Sequence, residues 1–177
     1  MKNIDILKRK ALEKDAFETF KSLARNPKRL KPKYFKVGNM LFYSYRAKHP
    51  QPYDKTPLTI ILGRSRKYTL GINVHWTPPR LRKKLLEFLM SRLRKVNNEY
   101  FFDLTKKDLR LITHYFGRVI RKYINTRISR KGVIVPKEIY YKVIYLRSET
   151  FIGISAEEAW SYATKLQREK KMKRKRR

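Results

Sequence analysis

The sequence predicts an α+β protein in which a small antiparallel β unit packs on a helical hairpin, flanked by a basic arm and a basic tail. Three observations carry this expectation. Two short runs rich in β-branched and aromatic residues, 58–62 and 68–76, are joined by Gly63-Arg64-Ser65-Arg66-Lys67, which has the length and the glycine of a hairpin loop. Apolar residues then recur at helical spacing over 78–97 and again over 105–128. Finally, 46 Lys and Arg stand against 14 Asp and Glu, a formal charge of +32 in 177 residues.

The elements follow in chain order. Ile4, Leu7, Leu12, Phe17, Phe20 and Leu23 roughly keep a helical period over residues 4–25, and Asn26-Pro27 ends the run. Lys28-Arg29-Leu30-Lys31-Pro32-Lys33 reads as a basic linker, so residues 1–33 form a helical arm suited to lying on a partner. Residues 34–46 make the first strand, with Met40, Phe42, Ser44 and Arg46 alternating against Leu41, Tyr43 and Tyr45. Pro50, Pro52 and Pro57 mark a loop. The three strands would make a small sheet or the start of an SH3-like barrel. Trp76-Thr77-Pro78-Pro79 closes the third strand and opens a helix, with Thr77 as the N-cap.

In that helix Leu81, Leu85, Phe88 and Leu89 form the apolar stripe, and Asn97-Asn98 ends it. Thr105 and Asp108 make an acidic capping box for the second helix. Leu109, Ile112, Phe116, Val119, Ile120, Tyr123 and Ile124 carry that helix to Ser129–Gly132, with Gly132 as its C-cap. Residues 133–135 are a short strand or a buried connection. Residues 137–145 are a short helix, or 140–147 a strand; periodicity leaves both open. Ser155 caps the last helix, with Glu157 and Glu158 in its first turn, and KMKRKRR ends the chain. The division is an arm over 1–33, one α+β domain over 34–162 and a tail over 163–177.

The charge decides the partner class. Net charges of +7, +6, +12 and +7 fall on residues 1–33, 34–76, 77–131 and 132–177, so the excess is spread along the chain. A solvated face does not absorb such an excess, and a polyanion does. Nucleic acid is the first expectation and anionic lipid the second. The apolar share of 41% supports a packed core. With no Cys, disulfides and Cys-ligated zinc are excluded. No apolar run has the length of a membrane span, and the first residues do not resemble a signal peptide. The expected setting is intracellular or inside a particle.

Catalysis finds little support. His49, His75 and His114 have no metal-ligand spacing, and neither a phosphate loop nor GxGxxG occurs. Asp54, Glu87, Glu99, Asp103 and Asp108 are scattered. Asp54 is the most site-like of them, and a turn or a neutralising partner is its plainer role. No enzyme, cofactor or metal is expected. No zinc finger or ribonucleoprotein box is present, and the gap between the two middle helices is too long for a helix-turn-helix. Tyr43, Tyr45 and Tyr68 can stack on unpaired bases, though core packing is the favoured role. The candidate phosphate contacts are Arg46, Arg64, Arg66, Lys67, Arg80, Arg82, Lys83, Lys84, Arg121, Lys122, Arg127, Arg130, Lys131, Lys173, Arg174, Lys175, Arg176 and Arg177.

One stretch carries a family signal. Tyr53-Asp54 before Pro57-Leu58, then Gly71-Ile72-Asn73-Val74-His75-Trp76 leading to Pro78, Pro79 and Leu81-Arg82, resembles a pattern in the DNA end protector (head completion) proteins of large contractile-tailed phages. The resemblance continues through Tyr123–Ile128 and Pro136 to Trp160, roughly residues 35–162, and leaves out the arm and the tail. High basicity and polar Thr56 and Thr59 depart from the pattern. It implies a virion protein packaged with the genome, at the duplex end or near the head–tail vertex, that shields the end from host exonucleases. It carries no catalytic residues. The expectation is non-enzymatic, sequence-independent binding to the phosphate backbone of double-stranded DNA, in the virion and in the host cytoplasm. Phage head or neck proteins are further partners; no membrane and no small-molecule ligand is expected. The alternatives are a structural neck or baseplate protein of a phage tail, an RNA-binding protein of ribosomal type, and a Mg²⁺-dependent nuclease.

Overall fold

Side-chain alternation in residues 40–43 sets the architecture, because both faces of this strand are apolar. Met40 packs in one core with Leu58, Ile60, Ile72, Val133 and Val135. Leu41 and Tyr43 point the other way, into a smaller core with Phe35 and Ile61. A strand covered on both faces belongs inside a sheet, and this one does.

The computed structural model describes residues 17–49, 52–96, 99–116, 119–144 and 148–161. The elements are helix α1 over 17–25, β1 (Lys28–Arg29), β2 (Met40–Tyr45), β3 (Tyr53–Asp54), β4 (Leu58–Arg64) and β5 (Tyr68–Asn73). Then come α2 (Pro79–Met90), β6 (Leu93–Val96), β7 (Glu99–Phe102), α3 (Lys106–Phe116), β8 (Ile120–Ile124) and β9 (Ile128–Val135). The last are α4 (Tyr140–Val143), β10 (Phe151–Ile152) and helix α5 over 156–161. The α+β class is as expected. One antiparallel sheet of six strands runs β1-β9-β2-β4-β5-β8, and β3–β10 and β6–β7 form two small ladders. Among the described residues no ladder joins β1 to β8, so the sheet is open.

Glycine sets the closest approach in this sheet. A Cβ on Gly71 would lie 2.2 Å from Thr59 Cγ2 and 2.9 Å from the Ile60 carbonyl oxygen, so β4 and β5 meet there only around glycine. The Tyr140 hydroxyl, from α4, accepts from the Met40 N–H at 2.8 Å and donates to the Gly38 carbonyl at 3.0 Å. It thereby pins the helical layer to the start of β2.

Several boundaries differ from expectation. The first middle helix ends at Met90, and residues 93–96 turn back as a strand against 99–102. The cap position belongs to Pro78, not Thr77, and Thr77 instead offers its carbonyl to Arg82 Nε at 2.9 Å. The second helix stops at Phe116, and Ile120–Ile124 is a strand paired with β5. Gly132 is no helix cap; it lies in β9, where a Cβ would come within 2.6 Å of the Phe42 carbonyl oxygen. The β2–β4 and β4–β5 pairings, the strand at 133–135, and a helix in place of a strand over 140–143 are as read or as one of two options left open. The Thr105–Asp108 box forms, with Thr105 N donating to Asp108 Oδ2 at 3.0 Å and Asp108 N to Thr105 Oγ1 at 3.1 Å. Ser155 and Glu158 close a similar box on α5.

Candidate nucleic-acid interface

Three segments far apart in sequence are linked through the turn 125–127. The β4–β5 turn is held tight by Ser65, whose N–H donates to the Tyr68 carbonyl at 2.8 Å and whose Oγ accepts from the Tyr68 N–H at 3.0 Å. Arg66 and Lys67 project from it into solvent. Asn125, in the turn after β8, donates to the carbonyls of Ser65 and Arg66 at 2.9 and 3.1 Å and accepts from Thr69 Oγ1 at 2.7 Å. The end of β2 joins them: Arg46 N–H donates to the Arg127 carbonyl at 3.2 Å, and Arg127 Nη1 donates to the Ala47 carbonyl at 3.3 Å. Arg46, Arg66, Lys67 and Arg127 therefore sit on one connected rim, and the register Leu70↔Lys122 brings exposed Lys122 beside it on β8. Backbone bonds hold each cation's anchor, so the rim is a preorganised cluster of positive charge.

Behind the rim lies a cleft of about 330 Å³ whose lining includes Tyr45, Tyr68, Trp76, Lys48, Arg121 and Lys122. Alternation along β8 points Arg121 and Tyr123 to the same face. The Arg121 guanidinium carbon is 3.7 Å from the Trp76 ring centroid, and Lys122 Nζ is 4.0 Å from that of Tyr68. Both are cation–π contacts. Tyr123 is buried, and its hydroxyl lies within 3.5 Å of the Thr59 hydroxyl. Burial pushes the Tyr123 phenol far above its ordinary range, so it is neutral and acts only as a polar group.

The floor of the cleft is polar. Asp54 Oδ2 accepts from His75 Nδ1 at 2.7 Å and from Asn73 Nδ2 at 3.0 Å, and Oδ1 accepts from the Thr56 N–H at 3.2 Å. Burial by itself would raise the Asp54 pKa. The adjacent His75 ring and the hydrogen bonds from His75, Asn73 and Thr56 outweigh it and hold the carboxyl below its usual value. With Asp54 ionised, Nδ1 carries the proton. His75 Nε2 is 3.1 Å from Ser148 Oγ, so Asp54, His75 and Ser148 form a line that looks like a nucleophile, base and orienter. Its central imidazole is closed off from solvent. His75 is wholly buried, and of the three only Asp54 borders the cleft. Next to it Arg82 pairs with Glu149, and Trp160 Nε1 donates to the His75 carbonyl at 2.8 Å. Together these bonds clamp residues 148–150 and α5 onto the turn formed by Val74–Trp76. No group of three His, Asp or Glu able to hold a metal occurs among the described residues, and no described helix is long and apolar enough to cross a membrane.

A family model described as phage T4 terminal DNA protecting protein matches residues 5–166. The chain belongs to this family. No curated protein matches it, and no solved structure does. The membership agrees with the resemblance read around Gly71–Trp76 and extends it, since the match also takes in most of the arm. In this family member the GINVHW block ends β5 and supplies Asn73, His75 and Trp76 to the cleft and its floor.

The expected phosphate contacts separate into groups. Arg46, Arg66, Lys67, Lys122 and Arg127 come together at the rim, with Arg121 inside the cleft. Arg64 turns back from the rim onto Phe35, its guanidinium carbon 4.1 Å from the ring centroid, where desolvation lowers its pKa. It remains a cation at any ordinary pH. Arg130 and Lys131 are exposed on β9 opposite Lys28 and Arg29 of β1, a basic sheet edge that also discourages edge-to-edge pairing. Arg80, Lys83 and Lys84 are exposed on α2, and Lys83 reaches Glu87 at 3.8 Å. Arg82 is fully buried and cannot meet a phosphate. Lys173, Arg174, Lys175, Arg176 and Arg177 lie outside the described residues. Of the three tyrosines weighed for stacking, Tyr43 is core, while Tyr45 and Tyr68 line the cleft. The sequence-based expectation missed the cleft because it assigned 120–124 to a helix; the β-branched and aromatic residues Ile120, Tyr123 and Ile124 were the available signal.

Proposed function

We propose that this protein binds the ends of double-stranded DNA through the phosphate backbone, without sequence preference and without catalysis, and shields them from exonucleases. The observation that carries this reading is the single rim on which Arg46, Arg66, Lys67, Lys122 and Arg127 converge, in a chain of net charge +32 from a terminal DNA protecting family. Lysine and arginine on rigid turns supply attraction that any DNA sequence satisfies. The buried polar line behind them serves as scaffolding. The protein acts in the virion, at the genome end and in completion of the head beside head or neck proteins, and then in the host cytoplasm.

The test is digestion of linear duplex DNA by a processive exonuclease, with a nicked circle digested by an endonuclease as control. End protection at protein-to-end ratios near one supports the reading. Protection that needs enough protein to coat the whole duplex, and covers both substrates equally, overturns end binding in favour of generic coating. Loss of the circle under Mg²⁺ alone would overturn the non-enzymatic part.

A further inference from the structure

We propose that the cleft behind the rim takes one unpaired nucleotide from the DNA end. This rests on the end-binding reading above and names the group that is recognised. A duplex end differs from the rest of the helix in having a terminal base with one free face, which frays or overhangs. A protein that reads only backbone charge has no means of preferring it. Selectivity for ends requires a place for that base.

The cleft supplies one. Its volume of about 330 Å³ falls at the lower end of small-ligand sites and suits a single nucleotide. Arg121, stacked on Trp76, borders it on the face that carries Tyr123 and Tyr45, and Lys122, stacked on Tyr68, lies at its edge on the opposite face of β8. Guanidinium planes and tyrosine rings are the surfaces on which unpaired bases stack without regard to sequence. Polarity then fixes the direction. The ionised Asp54 carboxylate on the floor repels a phosphate, whereas Lys48 and Lys122 attract one at the sides. The base therefore enters first, against Arg121 and Tyr45 on the Tyr123 side of β8, and its phosphate stays with the lysines. From there the strand continues onto the rim at Lys67 and Arg127. A small anion alone would meet the same lysines without the stacking surfaces.

The experiment compares binding of the full chain to three labelled duplexes of one length: one with a single-nucleotide overhang, one blunt, and one closed at both ends by covalent loops. The wild type is expected to favour the overhang over the closed duplex by roughly 5- to 150-fold, the worth of one stacked base. Arg121→Lys keeps the charge and removes the plane, and Tyr45→Ala removes the ring; each should bring that ratio close to one. Circular dichroism melts establish that the variants fold. In the unmodified protein, a 5′-phosphorylated dinucleotide should displace the overhang probe and quench tryptophan fluorescence through Trp76, while an acidic peptide of equal charge should do neither. If the wild type prefers open ends and both folded variants keep the full preference, the cleft assignment falls and end binding stands. If the wild type shows no preference for open ends, both fall. If the variants are unfolded, failure of the dinucleotide to displace the probe overturns the assignment by itself, as does equal displacement by the peptide.

Discussion

His75 Nδ1 donates to Asp54 Oδ2 at 2.7 Å, and neither side chain has appreciable contact with solvent. The bond joins β3 to the turn after β5, and through Ser148 it reaches the strand segment leading to β10. A hydrogen bond to a buried charged group is worth about 1.5–3 kcal/mol. Asp54→Asn removes the charge that Asn73, His75 and Thr56 bond to and should therefore lower stability by about 2–3 kcal/mol at pH 7.

That difference depends on pH with a definite sign. The folded Asp54 holds its proton less tightly than an ordinary aspartate of pKa 3.8. Its contribution is complete above 3.8 and is lost as pH falls through the lower folded value. Urea unfolding of wild type and Asp54→Asn should show a constant gap from pH 7 to about 5, closing below 3.8. A gap that stays constant to pH 3 would mean that the carboxylate's charge contributes nothing.

What the sequence displayed follows from which physical signals are local. The strands at 40–45, 58–64 and 68–73 combine aromatic or β-branched residues with turn chemistry between them, and both lie within a few residues. Residues 116–124 suit two elements at once. Phe116, Val119, Ile120, Tyr123 and Ile124 fit a helix by period, and the β-branched and aromatic Ile120, Tyr123 and Ile124 equally suit a strand by propensity. Pairing with β5 decides, and it involves residues some 50 positions earlier. Arg82 stands in the run RLRKK and looks like its neighbours. Its spacing to Leu85, Leu86 and Leu89 nonetheless puts it on the buried stripe of α2, the one local sign that it is not a surface cation. Its partner Glu149 is 67 residues away, and nothing near Arg82 announces it.

The contact at Gly71 is tight enough to predict. Alanine there would place a methyl 2.2 Å from Thr59 Cγ2 and 2.9 Å from the Ile60 carbonyl oxygen. The threonine methyl can be removed and the backbone oxygen cannot. Gly71→Ala should cost about 1–3 kcal/mol, the usual range for overpacking. Adding Thr59→Ser should recover only part of it, measured by thermal or urea unfolding. Full recovery would show that the backbone contact yields freely.

The Tyr140 hydroxyl is a buried polar tie between helix and sheet, over about a hundred residues of sequence. Tyr140→Phe keeps the ring and leaves the Met40 N–H and the Gly38 carbonyl without this partner. Two backbone groups lose a buried hydrogen bond, so stability should fall by about 1–3 kcal/mol. Amide exchange at Met40 should accelerate along with it. A neutral substitution with unchanged exchange would place water at the hydroxyl position.

Arg82 and Lys67 carry the same formal charge and should give opposite results. Arg82 is buried with Glu149, and its Nε donates to the Thr77 carbonyl. Arg82→Ala leaves a carboxylate buried without its cation and should cost about 3–5 kcal/mol in unfolding experiments. Arg82→Met with Glu149→Leu should restore most of that loss, since neither charge then remains. Lys67 is exposed on the rim, so Lys67→Ala should hardly alter stability. In the proposed DNA complex the order reverses. Lys67→Ala should flatten the dependence of log affinity on log salt by about 0.9, one released counterion, whereas the folded Arg82→Met, Glu149→Leu variant should leave that slope unchanged. With about 6–10 phosphate contacts, the wild type should weaken about 10³–10⁵-fold between about 50 and 200 mM salt. A slope that responds to the buried pair and ignores Lys67 would place the phosphate contacts away from the rim.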